Sequence, residues 1–100
     1  MAYQVDNDKG FLIIRAALAE LLAIESGLPA GICDGCARAS FQGYIIPVLG
    51  HSWYCPECYK KWLARAENYP EDKDFELAVF NEYRNRFAAA GIWNDKKQGA

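Results

Sequence analysis

Apolar residues recur at helical spacing over 9–26, where Phe11, Ile14, Leu18, Leu21 and Leu22 fall three or four positions apart and Gly27, Leu28 and Pro29 supply a stop. The spacing predicts an amphipathic helix, preceded by a polar segment in which Asp6, Asn7 or Asp8 can cap it. Leu12, Ile13, Ala17 and Ile24 place apolar residues on its other faces, more than one core-facing stripe requires. Such a helix is expected to pack between two neighbours or to offer a face to a partner. The period changes after Cys36. Phe41, Tyr44, Ile45, Ile46 and Val48 form a run of strand formers broken by Gly43 and Pro47, Leu49 to Ser52 reads as a turn, and Trp53-Tyr54 as a return strand. Pro56 then suits the first turn of a helix with a Tyr59, Trp62, Leu63, Ala66 stripe. After the break at Asn68-Tyr69-Pro70, Phe75, Val79, Tyr83 and Phe87 repeat every fourth residue, predicting a further helix over 71–91 that Gly91 ends. Ile92 and Trp93 are expected to fold back on the core, and 94–100 to form a polar, frayed tail.

With 100 residues, 52% of them hydrophobic and 24% charged, the chain suits one globular domain (1–100) with a modest core. A formal net charge of −2 argues against coating polyphosphate through bulk charge. Met1 to Lys9 carries Asp6 and Asp8 where a secretory signal is basic, and the longest apolar stretch, Phe11 to Ile24, contains Arg15 and Glu20 and is too short for a bilayer. A soluble, cytoplasmic protein with no membrane partner is expected. Its reducing surroundings would keep cysteines available for metal instead of disulfides.

Every cysteine lies in one of two C-x2-C pairs, Cys33-Asp34-Gly35-Cys36 and Cys55-Pro56-Glu57-Cys58, with 18 residues between them. One such pair lets two thiolates chelate an ion from a tight turn, and two pairs complete the tetrahedral sulfur shell that zinc prefers. Cys33, Cys36, Cys55 and Cys58 are therefore the expected ligands of one structural Zn2+, with iron the other metal an all-sulfur shell suits. The second pair also opens a helix after two aromatics, as redox dithiols do, but the βαβ setting of a thioredoxin-like site is missing from the pattern. Four sulfurs leave no open position for water, and nucleophile, phosphate-loop and paired-carboxylate motifs are absent. An enzyme is not expected.

The order of turn, hairpin and ligand-bearing helix over Cys33 to Arg65 resembles the treble-clef group of zinc modules. GATA-type fingers in that group have two C-x2-C pairs at similar separation, and LIM domains have related knuckles. The resemblance covers about a third of the chain and implies a hairpin and helix tied by one zinc. GATA-type fingers carry basic residues on the hairpin, whereas Gln42 to Leu49 carries no charge, and no ligands remain for the second zinc of a LIM module. It speaks for fold and metal more than for DNA.

Two surfaces are candidates for a partner. Lys60, Lys61 and Arg65 form a basic edge on the cysteine-bearing helix, with Trp53, Tyr54 and Tyr59 nearby, a combination that can meet nucleic acid but is also ordinary on a solvated helix face. The hairpin set Tyr44, Ile46, Leu49 and Trp53 can instead face a protein or a second copy of the chain, or else cover the long helices. His51, the single histidine, is expected on a turn surface, and Arg84 and Arg86 are expected to be balanced by Glu76 and Glu82. The expected fold is thus α+β, a zinc-stabilised treble-clef unit (33–66) packed with two longer amphipathic helices (9–26 and 71–91). The expected function is a non-catalytic zinc-binding protein-interaction module, with a nucleic-acid-binding regulator as the alternative.

Overall fold

The structure, a computed structural model, describes residues 1–24 and 30–98. Strands β1 (Ala2–Val5), β2 (Ile13–Ala17), β3 (Gln42–Ile45) and β4 (Trp53–Tyr54) pair antiparallel in sequence, and β5 (Trp93–Gln98) joins the far edge parallel to β1, giving the order β4-β3-β2-β1-β5. A six-residue helix α1 (Leu18–Ala23) follows β2, α2 (Pro56–Arg65) follows β4, and the 17-residue α3 (Lys73–Ala89) precedes β5. No helix among the described residues is long and apolar enough to cross a membrane.

The helix expected over 9–26 is not formed as such: residues 13–17 are the central strand β2, and among the described residues of that range only 18–23 form a helix. The proposed stop at Gly27, Leu28 and Pro29 lies outside the described residues. The cause is burial on both sides. Ile13 packs with Tyr59 and Trp62 beneath α2, while Ile14 packs with Val79, Phe80, Tyr83 and Phe87 beneath α3. Because a strand turns adjacent side chains to opposite faces, a strand covered twice reads as an unbroken apolar run, which periodicity alone does not separate from a buried helix. Apolar residues on all sides of the expected helix were the trace of a two-faced strand.

The ends of the chain also depart from expectation. Asn7 caps no helix; its Oδ1 accepts the N–H groups of Lys9 and Phe11, each at 3.1 Å, and its Nδ2 donates to Phe11 O at 2.8 Å, closing the connection from β1 to β2. The predicted tail is strand β5, with Ala2 opposite Trp93, Tyr3 opposite Asn94 and Val5 opposite Gln98 across a register irregularity. A polar sequence is compatible with this position because an edge strand is paired on one side only. Ile92 and Trp93 do fold back, with the Trp93 ring 6.1 Å from Phe80 and 6.3 Å from Phe87.

The predicted hairpin is present and enters the core more deeply than a ribbon would. Trp53 is fully buried, and its indole Nε1 donates to Ala16 O at 3.0 Å across the sheet. Its ring occupies the space above Gly43, where a Cβ would lie 2.3 Å from Trp53 Cε2. Glu76 was expected to balance a surface arginine; it is instead buried, receiving Leu12 N–H at 2.9 Å and Lys73 Nζ at 3.1 Å, which fastens α3 to the segment entering β2. The helix expected over 71–91 is present as α3, preceded by a single 3-10 turn at Pro70–Asp72. Gly43→Ala is expected to lower folding stability by about 3 kcal/mol, because a rigid buried ring has to move for one methyl group; denaturant unfolding against the unsubstituted chain checks this.

Candidate metal centre

The four cysteines converge. Cys33 and Cys36 come from a tight turn closed by Ala37 N–H to Cys33 O at 2.8 Å and Cys33 N–H to Arg38 O at 2.9 Å, within the small bridge between Ile32 and Ala39. Cys55 is the N-cap residue of α2 and Cys58 lies in its first turn. The four sulfurs all lie within 4.8 Å of one another, with Cys36 Sγ and Cys55 Sγ 4.0 Å apart, and no disulfide joins them. Zinc–sulfur bonds about 2.3 Å long form a tetrahedron with edges of about 3.8 Å, so the donor set and its spacing fit one tetrahedrally bound ion. His51 stands outside this group.

Two residues between the ligands explain how the turn is held against the helix. Asp34 N–H donates to Trp53 O at 2.9 Å and Asp34 Oδ2 accepts Trp53 N–H at 2.8 Å, so the turn is clamped to β4 on both sides of one residue. At Gly35 a Cβ would stand 3.2 Å from Cys58 Cβ and 3.3 Å from Cys58 Sγ. A side chain at 35 would thus require turn and helix to separate by a few tenths of an ångström. Neither role was visible in the spacing of the cysteines, although Asp-Gly between two ligands was the available signal.

The sulfurs occupy unequal environments. Cys33 is buried, and Gly35 N–H and Cys55 N–H each approach its Sγ at 3.2 Å. Burial alone would push its thiol up, but hydrogen bonds from the Cys55, Cys36 and Gly35 backbone outweigh burial and lower it from 9.0 to about 7. Desolvation, reinforced by the neighbouring sulfurs of Cys36, Cys55 and Cys33, pushes Cys58 up to about 12. A metal cation at the centre of the cluster would remove that repulsion. The N-terminal end of α2, where backbone N–H groups leave partial positive charge, favours the same thiolates.

The other candidate residues divide. Lys60, Lys61 and Arg65 are all exposed; Lys61 and Arg65 line a cleft beside the cysteines together with Asp34 and Tyr54, and Lys60 does not. Of the hairpin set, Ile46 and Trp53 are fully buried and Tyr44 is half-buried, stacked on Tyr59 with ring centroids 4.2 Å apart; these three belong to the core side of the hairpin. Leu49 alone of the four stays open, at 42% exposure, and the exposed ring of Phe75 lies beside its neighbour Gly50. His51 is on a turn as expected, with Nδ1 2.8 Å from Tyr83 OH and Nε2 3.9 Å from Glu82. Glu82 also pairs with Arg86 at 3.0 Å.

The pH dependence follows from these environments. Metal uptake requires thiolates, so it releases protons, and acid opposes it most at Cys58, which holds its proton hardest. In the metal-free chain the depressed Cys33 favours the folded state above its unfolded value of 9.0, and that contribution is lost as pH falls through about 7. Apparent zinc affinity is therefore expected to rise steadily between about pH 6 and 8, which competition with a chromophoric chelator at several pH values measures. A flat profile would contradict a thiolate site.

No family model, no curated protein and no solved structure matches this chain in comparisons with each. Geometry and chemistry therefore carry the functional reading.

Proposed function

We propose that this chain is a non-catalytic protein-interaction module whose fold is stapled by one structural zinc ion in a treble-clef arrangement. The observation that carries the reading is the convergence of four sulfurs from one turn and one helix N-terminus. Zinc fits this donor set better than harder cations do, and a complete sulfur shell leaves no position for a reacting water. The ion's work is mechanical. It ties the 33–36 turn to α2, and structural zinc sites contribute apparent binding energies on the order of 10 kcal/mol to folding.

A protein partner is favoured over nucleic acid by how the surface is arranged. The three exposed cations that the sequence groups together are not isolated from negative charge: Lys61 and Arg65 share their cleft with Asp34, and Lys60 lies outside it. Four thiolates around a divalent ion would also take the formal net charge from −2 to −4. Leu49 and Phe75 are instead each exposed, with the Phe75 ring beside Gly50, and exposed apolar side chains of this kind are what proteins bury on association.

Native mass spectrometry of the purified chain before and after chelation, with circular dichroism on the same samples, is expected to find one zinc per chain and loss of structure when it is removed. Absence of metal, or a fold indifferent to chelation, would overturn the staple. Titration with a DNA or RNA duplex at low salt is expected to show no binding; binding that weakens steeply with added salt would favour the nucleic-acid reading.

A further inference from the structure

The charge on the proposed metal centre needs a counterpart. A divalent ion inside four thiolates leaves two net negative charges, and these must be met by hydrogen-bond donors, by water or by nearby cations. The donors are distributed to one side. Gly35 N–H and Cys55 N–H both approach Cys33, the buried sulfur, at 3.2 Å. On the other side the centre opens into a cleft of about 400 Å³ whose walls include Cys36, Cys58, Asp34, Tyr54, Lys61 and Arg65.

Lys61 and Arg65 reach that cleft through helix geometry. They follow Cys58 by three and seven positions on α2, which places all three on one stripe of the helix. Lys60 is one residue away on the same helix yet outside the cleft. The charges also limit what else the cleft can do. The two exposed cations share the cleft with one Asp34 carboxylate, whose Oδ2 already accepts Trp53 N–H, and a filled centre would add two net negative charges. No positive surplus is left over for a bound phosphate.

We propose that Lys61 and Arg65 are the counter-cations of the metal centre, positioning residues that offset the tetrathiolate's charge on its Cys36 and Cys58 side and so strengthen its hold on zinc. The proposal rests on the reading that the four cysteines bind zinc. It gives the basic edge of α2 an inward electrostatic role in place of an outward role toward nucleic acid.

The test compares four full-length chains: unsubstituted, Lys60→Gln, the double variant Lys61→Gln with Arg65→Gln, and the charge-keeping exchange Lys61→Arg with Arg65→Lys. Zinc affinity is read by chelator competition at low and high salt, and the alkylation rate of the zinc-loaded thiolates by iodoacetamide serves as a second readout. The double Gln variant is expected to lose about tenfold in affinity with a shallower salt dependence, and its thiolates, less neutralised, to alkylate faster. Lys60→Gln and the exchange variant are expected to match the unsubstituted chain. Equal affinity and equal alkylation in the double Gln variant and Lys60→Gln would overturn the proposal, as would an exchange variant as weak as the double Gln variant, since shape and not charge would then be at work. Failure of the unsubstituted chain to take up zinc would overturn the metal reading and this proposal together, whereas tight zinc in both the unsubstituted and double Gln chains would overturn this proposal alone.

Discussion

Burial of β2 on both faces is the constraint on which the rest depends. Ile13 and Ile14 are adjacent, and each is fully enclosed in a different core. A strand in that position needs a cover on either side, which is why α2 and α3 lie on opposite faces of the sheet. Once α2 is seated over Ile13 through Tyr59 and Trp62, its N-terminus is held at the β4 end of the sheet. Cys55 and Cys58 are thereby delivered to the place where the 33–36 turn can reach them. Metal site and core are consequences of one packing arrangement.

Trp53 joins the two. Its ring fills the α3-side core over Gly43 and its indole bonds across the sheet to Ala16, while its backbone exchanges hydrogen bonds with Asp34 in the 33–36 turn. Through this residue the turn is joined to the core by protein contacts alone. The second clamp, Glu76 against Leu12 N–H and Lys73, works at the opposite end of β2 and costs a buried charge that is both paired and hydrogen-bonded. A chain of this size has a small core, so two polar clamps are a physically reasonable supplement to it, as a metal bound by the four cysteines would be.

The N-terminus of α2 and the backbone donors at Cys33 present positive charge toward the cluster of sulfurs, Glu57 adds a negative charge to the first turn of the helix, and Lys61 and Arg65, both exposed, line the cleft beside the cysteines. What looks in sequence like a basic edge is divided by the cleft: Lys61 and Arg65 line it and Lys60 does not, although all three are exposed.

The sequence by itself determined the cysteine cluster, the hairpin, α2 and α3, because each is local: two short chelating spacings, alternation of strand formers, Pro56 at a helix start, and a repeat of four from Phe75 to Phe87. Only the tertiary structure decided that 13–17 is a strand, that 93–98 closes the sheet beside β1, and that Ile46 and Trp53 belong to the core. Those outcomes depend on what lies across the chain. A doubly covered strand loses the alternation that would announce it, and an edge strand needs no apolar pattern when its partner supplies the hydrogen bonds. Burial of a hairpin residue, likewise, is set by the helix that happens to pack over it and not by its own neighbours in sequence.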